Sequence, residues 1–190
     1  MTDWIAQFPD VADRARAFAV VAHGDQKRKY TGAPYTVHLD EVADILYAHG
    51  FRDEVLAAAY LHDTIEDTPV TREMVEEWFG EVVARLVWEV TDQSKPGDGN
   101  RAARKEIDRQ WLSKASPAAQ SIKLADLISN GRDITAHDPA FAKTFLREKE
   151  LLMEVLTGGD SWLYTRAKFC LIDCQEKLVQ FELGKKMGGG

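Results

Sequence analysis

Apolar residues recur at helical spacing along most of the chain, and this pattern restricts the fold more than any other feature. One stripe covers residues 39–46 and another covers residues 82–90, each with apolar side chains three or four positions apart. This spacing places the apolar side chains on one face of a helix. No segment alternates apolar and polar residues long enough for a half-buried strand. The sequence therefore predicts an all-α protein.

Helix boundaries are marked by residues that accept bonds from free backbone amides or that interrupt a helix. The predicted N-caps are Asp53, Thr71, Ser116 and Asp138, and a proline follows each of the last two. Residues 94–100 contain one proline and two glycines, which predicts a loop, and a last helix is expected over residues 160–183. Residues 184–190 (GKKMGGG) are predicted to form a flexible tail behind a single domain of residues 1–183, with about eight to nine helices in all.

Length and composition predict one folded domain. The 190 residues are 45% hydrophobic and 29% charged, which is ordinary for a globular protein. A formal net charge of −7 argues against a general nucleic-acid binder, because such a protein needs a basic surface for the phosphates. No run of about 18 apolar residues occurs, and the N-terminus lacks a signal-peptide pattern. We therefore expect a cytoplasmic protein that binds neither membranes nor nucleic acid.

The two cysteines predict helix packing. Cys170 and Cys174 lie four residues apart within the predicted last helix. Two cysteines at this spacing are too few for a disulfide framework or a zinc knuckle. Free cysteine behaves as a small buried apolar residue.

Four ionisable residues follow the apolar helix that ends near residue 61. They are His62, Asp63, Glu66 and Asp67. His62 and Asp63 are separated by about 100° around a helix, so both can reach one cation. A histidine–aspartate pair alone also occurs as a helix cap or as a surface hydrogen bond. Two further residues in fitting contexts, His38 at the start of a helix and Asp126 directly after an apolar run, favour a metal site.

The chain resembles the hydrolase domain of the RelA/SpoT-homologue group, especially its stand-alone small alarmone hydrolases, over about residues 11–156. The motifs that carry the resemblance are residues 22–29 (AHGDQKRK), 32–38 (GAPYTVH), 58–68 (AAYLHDTIEDT), 79–80 (FG), 89–92 (EVTD) and 123–126 (KLAD) with Asn130. Their common order is more specific than any one of them. The resemblance implies an HD-type helical bundle and a metal-dependent hydrolase that cleaves (p)ppGpp to GDP or GTP plus pyrophosphate.

The resemblance also implies roles for individual residues. A single divalent ion, typically Mn²⁺ in this group, is expected to bind His38, His62, Asp63 and Asp126. Two carboxylates, Glu66 and Asp67, are expected to position the attacking water and manage its proton. The expected substrate-binding residues are Arg28 against the guanine base, Lys29 from the same basic cluster, Asn130 near the ribose and Arg101 near the distal pyrophosphate. His23 is expected to support a helix end.

Two departures from the group and two alternative functions stay open at this stage. Animal-type relatives carry a tyrosine beside the nucleoside where residues 145–150 read FLREKE. Gly131 replaces a bulkier residue, which predicts a looser pocket wall. One alternative is another nucleotide phosphatase, such as one that removes the 2′-phosphate of NADPH. The other is a non-catalytic HD protein that binds an alarmone or acts as an antitoxin to a protein partner. The sequence does not predict the oligomeric state.

Overall fold

The computed structural model describes residues 7–187, and the side chains of residues 132–133, 135–136 and 186–187 are not among those described. Its helices are α1 (Val11–His23), α2 (Thr36–Ala48), α3 (Asp53–Leu61), α4 (Thr64–Asp67), α5 (Arg72–Phe79), α6 (Glu81–Val90), α7 (Arg101–Leu112), α8 (Pro117–His137), α9 (Pro139–Met153) and α10 (Ser161–Met187). Within residues 7–187, α4 is a single turn and the other nine helices have at least eight residues, which agrees with the predicted number. Extended pairing in the same range is one isolated bridge, between Lys27 and Pro34. The all-α prediction is confirmed.

Three of the four predicted N-caps are confirmed. The side chains of Thr71, Ser116 and Asp138 each accept a hydrogen bond from the backbone amide three residues later. A proline occupies the first turn of both α8 and α9. Backbone amides in a first turn have no partner within the helix, so the missing N–H of proline costs no hydrogen bond there. Caps of this kind stabilise a helix by about 1 kcal/mol each.

The prediction that Asp53 caps α3 is wrong. Asp53 is the first residue of the helix, and the N-cap is Arg52, which makes no side-chain capping hydrogen bond. The backbone of Asp53 has φ 48°, in the left-handed region, where aspartate is more common than most other residues. The backbone therefore turns at Asp53 itself, and α3 begins without a side-chain cap.

Helix α8 forms the centre of the fold and packs against α2, α3, α6, α9 and α10. Residues 119–131 of α8 are buried apart from 123 and 130, which are half-buried. A helix buried on all faces belongs to the core, so each polar residue on it needs a partner inside the protein. The fully buried residues Ala57, Ala58 and Ala59 keep α3 thin where α1, α2 and α6 pack against it. None of the helices in the described range combines the length and apolarity needed to cross a bilayer.

The last helix covers the outer side of α8. Helix α10 runs to Met187, past the predicted end at residue 183, and residues 188–190 lie outside the described range. The Cys170 thiol lies 3.8 Å from the carbonyl oxygen of Ile128, and the Cys174 thiol donates a hydrogen bond to the carbonyl oxygen of Gly131 at 3.1 Å. The cysteines therefore pack α10 against α8, as predicted.

Gly131 permits this close packing, and the predicted looser pocket wall is wrong. A Cβ at this position would lie 2.9 Å from Sγ of Cys170 and 3.7 Å from Sγ of Cys174. The space that a side chain would need is thus occupied by α10. The missing side chain brings two helices together and does not widen the pocket.

We predict that Gly131→Ala lowers the free energy of unfolding. Overpacking of this kind costs about 1–3 kcal/mol, which exceeds the gain of about 0.5–1 kcal/mol from replacing a helical glycine by alanine. Urea denaturation monitored by circular dichroism measures the difference. The control is Gly97→Ala, where a Cβ would meet no atom within 4 Å. Adding Cys170→Ala should restore stability to Gly131→Ala, and a fully stable single variant would contradict the packing argument.

Candidate metal centre and active site

Three predicted metal ligands meet where α2, α3 and α8 converge. His38 lies in the first turn of α2, His62 directly follows α3, and Asp126 lies within α8. Asp126 Oδ1 is 3.4 Å from Nε2 of His38 and 3.9 Å from Nε2 of His62. The three ligand atoms all lie within 4.8 Å of one another, and all three residues are buried. Residues far apart in sequence thus form one compact cluster.

Asp63 stands beside both imidazoles. Its Oδ2 atom is 3.1 Å from Nε2 of His62 and 3.7 Å from Nε2 of His38. The Tyr35 hydroxyl donates a hydrogen bond of 2.5 Å to the same Oδ2 atom. Burial of Tyr35 and the nearby charge of Asp63 raise the pKa of Tyr35 far above its usual value, so the hydroxyl keeps its proton. Tyr35 therefore acts as a fixed donor that orients the fourth predicted ligand.

The hydrogen bonds of His62 fix its tautomer. Its Nδ1 atom lies 2.7 Å from the carbonyl oxygen of Ala59. A carbonyl oxygen can only accept, so Nδ1 of His62 carries the hydrogen. In the neutral ring, Nε2 then presents its lone pair to the cluster, which is the form that binds a metal.

His38 reaches the same tautomer through two side chains. Its Nδ1 atom lies 2.9 Å from Oγ of Ser129, and the Ser129 hydroxyl donates to Oε2 of Glu41 at 2.5 Å. Because this bond uses the only hydroxyl hydrogen of Ser129, Nδ1 of His38 must be the donor to Oγ. The lone pair of its Nε2 therefore also faces the cluster.

The cluster fits a divalent cation. Nε2 of His38 and Nε2 of His62 are buried and make no hydrogen bond with any described residue. Burial alone would lower the pKa of His62, but Asp63 and Asp126 raise it to about 9, so these two carboxylates favour a positive charge at the ring, whether a proton or a metal ion carries it. Imidazole nitrogens with carboxylate oxygens and no thiolate suit several divalent metals. The residues present can hold such an ion.

Lys123 completes the charge arrangement around Asp126. Its Nζ atom lies 3.1 Å from Asp126 Oδ2, one turn earlier on α8. Although burial would raise the pKa of Asp126, Lys123 and the two histidines hold it well below its usual value. Burial opposes the charge of Lys123, but Asp126 and Glu66 raise its pKa above the usual value. Both groups therefore stay ionised in the core.

Glu66 has the ionisation expected of a general base. Its side chain keeps some access to solvent, and Oε1 accepts a hydrogen bond of 2.8 Å from the backbone amide of Asp92. Surrounding protein displaces much of its water, and this desolvation raises the pKa of Glu66 to about 7, with Lys123 opposing and Asp92 adding to the rise. A base with a pKa near the working pH transfers protons efficiently.

Asp67 is held from the neighbouring loop. The Gln26 side-chain amide donates to Oδ2 of Asp67 at 2.8 Å, and Oε1 of Gln26 lies 2.7 Å from Nδ1 of His23. His23 is the last residue of α1, and its ring stacks on Tyr35 with centroids 4.9 Å apart. His23 thus supports the helix end, as predicted, and also braces the residues that contact Asp67 and Asp63.

A pocket of about 350 Å³ opens beside the cluster. Its wall contains all four predicted substrate-binding residues, Arg28, Lys29, Asn130 and Arg101, together with His38. Asn130 donates to Asp126 Oδ1 at 2.6 Å, so it contacts the cluster as well as the pocket. The structure therefore brings the predicted substrate residues and a predicted metal ligand to one cavity.

The arginines in this pocket are held in different ways. Arg28 is nearly buried and lies 3.1 Å from Oε2 of Glu41 and 3.4 Å from Oγ of Ser129. Arg101 is half-exposed and binds both carboxylate oxygens of Glu148, at 2.6 Å and 2.8 Å. Arg28 therefore belongs to the same hydrogen-bond chain that orients His38, whereas Arg101 lies at the opening.

Comparison with known proteins identifies the family. The family model described as HD domain matches residues 15–152, which is more than half of the chain. The chain belongs to the HD-domain family. A human relative, named guanosine-3′,5′-bis(diphosphate) 3′-pyrophosphohydrolase MESH1, is 42% identical over 137 residues, or 70% of this chain and 73% of the human protein.

Two further relatives of this HD domain place it in the predicted group. A Synechocystis protein named probable guanosine-3′,5′-bis(diphosphate) 3′-pyrophosphohydrolase is 36% identical over 178 residues, which are 92% of this chain but 23% of that protein. A solved structure titled "A metazoan ortholog of SpoT hydrolyzes ppGpp and plays a role in starvation responses" has a TM-score of 0.77 and 30% identity, covering 87% of this chain and 97% of that one. The resemblance to the RelA/SpoT-homologue group is confirmed.

Sequence reasoning missed several residues that support this HD site. Tyr35, Ser129 and Glu41 orient Asp63 and His38, and their roles depend on contacts between helices. Lys123 lies three positions before Asp126 in the KLAD motif, so helical spacing was a signal that could have revealed it. The departure at residues 145–150 places a buried phenylalanine, Phe145, in the pocket wall.

We predict that Ser129→Ala weakens metal binding without unfolding the protein. The substitution removes the acceptor that holds the hydrogen on Nδ1 of His38, and loss of such a support typically lowers metal affinity about 10–100-fold. Titration calorimetry with Mn²⁺ measures the affinity, and circular dichroism checks the fold. The matched control is Ser113→Ala, whose hydroxyl contacts only the carbonyl of Gln110 among the described hydrogen bonds. Equal affinities in wild type and Ser129→Ala would show that the tautomer argument is wrong.

Proposed function

We propose that the protein is a metal-dependent (p)ppGpp 3′-pyrophosphohydrolase. The observation that carries the proposal is the His38–His62–Asp126 cluster at the edge of a pocket lined by four predicted nucleotide-binding residues. The names of the human and Synechocystis relatives describe the same activity in those proteins. Residues 1–183 act as one hydrolase domain in this proposal, and a cytoplasmic location stays a prediction from the sequence.

The proposed metal ligands are His38, His62, Asp63 and Asp126, and the proposed ion is Mn²⁺. Two unpartnered imidazole nitrogens and two carboxylates support this assignment. A divalent ion bound there would supply Lewis-acid stabilisation of phosphate oxygens and lower the pKa of water. The oxygen ligands and the absence of thiolates favour Mn²⁺ over softer metals.

Two carboxylates act on the attacking water. Glu66 accepts the proton of the attacking water, and Asp67, held by Gln26, positions that water. The water oxygen forms a bond to the phosphorus attached to the 3′-oxygen, and the bond between that phosphorus and the 3′-oxygen breaks. The 3′-oxygen takes up a proton, which balances the one that Glu66 accepted, and leaves as the hydroxyl of GDP or GTP, while the two phosphates leave as pyrophosphate.

The pocket binds the nucleoside part of the substrate. The guanidinium of Arg28 packs against the guanine base, a use that suits a planar cation. Asn130 contacts the ribose, Lys29 adds positive charge to the pocket wall, and Arg101 faces the phosphates. The position of these four side chains around one cavity supports the assignment.

Turnover across several substrates tests the proposal. Purified protein with Mn²⁺ should release pyrophosphate from ppGpp with a much higher kcat/KM than it releases phosphate from NADPH or simple nucleoside phosphates. Faster turnover of NADPH would replace the proposal with a 2′-phosphatase. Tight ppGpp binding without turnover would instead indicate a non-catalytic binding protein.

We predict that Asp63→Ala removes both bound metal and activity, whereas Glu66→Ala keeps the metal and loses most of the turnover. Asp63 contacts the imidazoles of the cluster, while Glu66 contacts the amide of Asp92 and is not one of the proposed ligands. Removal of a general base typically costs about 10²–10⁴-fold. Elemental analysis and pyrophosphate release give the two readouts. Wild-type hydrolysis by Asp63→Ala would disprove the proposed centre.

We predict that kcat/KM rises with pH to a plateau, with a midpoint at or below pH 7. Glu66 acts as a base only when ionised; its pKa is about 7, and a bound cation lowers this value. Asp92 is one of the charges that raise this pKa, so Asp92→Asn should move the midpoint to lower pH. The measurement is the pH profile of kcat/KM for both proteins. A midpoint in Asp92→Asn at the same or higher pH would contradict the role of Glu66.

A further inference from the structure

A second cavity, of about 160 Å³, lies between α7, α8 and α9 and is basic. Its basic lining residues are Arg101, Lys105, Arg109, Lys123 and Lys149, and its acidic ones are Asp92, Asp108 and Glu148. The excess of basic side chains contrasts with the net charge of −7 for the whole chain. Positive charge concentrated in a cavity of an acidic protein favours binding of an anion.

Four of the five cations already have a carboxylate partner. Lys105 Nζ lies 2.6 Å from Asp92 Oδ2, and Lys123 Nζ lies 3.1 Å from Asp126 Oδ2. The other two pairs are Arg101 with Glu148 and Arg109 with Glu106. Lys149 has no carboxylate within 4.0 Å among the described residues, and its ammonium lies 5.3 Å from the centre of the Phe145 ring. The positive charge available to a ligand is therefore mainly that of Lys149.

The cavity adjoins both parts of the proposed active site. Lys123 links its wall to Asp126 of the metal cluster, and Asp92 links it to Glu66 through the backbone amide. Arg101 and Phe145 line this cavity and also the pocket of about 350 Å³ that is proposed to bind the nucleoside, called the nucleotide pocket below. A group attached to the phosphorus under attack can therefore extend into the cavity while the nucleoside stays in its pocket.

We propose that this cavity receives the outer phosphate of the scissile pyrophosphate and that Lys149 makes the site prefer a pyrophosphate over a monophosphate. The proposal rests on the proposed function. The volume is several times the roughly 30 Å³ that a water molecule occupies in the liquid, so a phosphate group fits. An ammonium group supplies the charge-assisted hydrogen bonds that phosphate oxygens accept.

The charges around Lys149 favour the binding of an anion. Burial lowers the pKa of Lys149, and the charges of Lys123 and Lys105 act in the same direction, although Asp126 opposes them. A cation surrounded by other cations is stabilised when an anion binds among them. The outer phosphate of the substrate provides that anion.

Calorimetric titration with inorganic pyrophosphate and with orthophosphate tests the cavity without a nucleotide. Each anion is titrated into the protein in the presence of a fixed excess of Mn²⁺. A blank titration of the anion into Mn²⁺ alone corrects for chelation of the metal by the anion. We expect wild type to bind pyrophosphate more tightly than phosphate, and Lys149→Met to bind pyrophosphate about tenfold more weakly or worse. Lys149→Arg should keep most of the affinity.

The matched control is Lys143→Met, which removes an exposed lysine on the same helix that pairs with Glu182 and lies outside the cavity. Its pyrophosphate affinity should equal that of wild type. Methionine has a similar volume to lysine and suits a buried site, so Lys149→Met should fold, as a thermal melt will verify. Unchanged pyrophosphate affinity in folded Lys149→Met overturns the inference.

Kinetics separates this inference from the proposed function. We expect Lys149→Met to lower kcat/KM for ppGpp by about tenfold or more, and to change it much less for the analogue with a 3′-monophosphate. If wild type hydrolyses ppGpp and Lys149→Met lowers kcat/KM by the same factor for both substrates, the selectivity role of Lys149 is overturned while the proposed function stands. If wild type does not hydrolyse ppGpp, the proposed function fails, and pyrophosphate binding that depends on Lys149 still supports the anion site.

Discussion

The structure depends on the position of two imidazole rings and two carboxylates inside a largely apolar core. Nε2 of His38 and Nε2 of His62 are buried without a hydrogen-bond partner in the described part of the chain. Buried polar groups normally have partners, because an unmet hydrogen bond in the core costs about 1–3 kcal/mol. A cation between these groups would satisfy both nitrogens and neutralise the carboxylates. Without a metal, these groups lower the stability of the core. For the same reason, they favour the binding of a cation.

Around this centre, the supporting residues mainly fix the orientation of the proposed ligand side chains. Ala59 and Ser129 hold the hydrogens on the far nitrogens of the two rings, and Tyr35 holds the carboxylate of Asp63. Arg28 and Glu41 extend the chain of contacts from His38 to the wall of the proposed nucleotide pocket. The pocket wall and a proposed metal ligand are thus joined by hydrogen bonds, and a change in the wall can alter the orientation of His38.

Much of the fold followed from local rules. Helical spacing, the N-caps at Thr71, Ser116 and Asp138, and the loop at residues 94–100 were predictable because each depends on residues close in sequence. The prediction that Asp53 caps α3 was wrong because Asp53 is itself the first residue of the helix, with its backbone in the left-handed region. Gly131 was misread because the atoms that need its small size, the thiols of α10, lie some forty residues later in the chain.

The sequence by itself determined the helical class and the candidate ligands, since periodicity and motif order are properties of the chain alone. Only the tertiary structure decided which ring nitrogens face the cluster, which cations already have a carboxylate partner, and that Lys149 has none among the described residues. These features depend on distances of a few ångströms between α2, α8 and α9, and no local pattern encodes such distances. The physical reason is that ion pairing and hydrogen bonding act through space, whereas sequence motifs record only order along the chain.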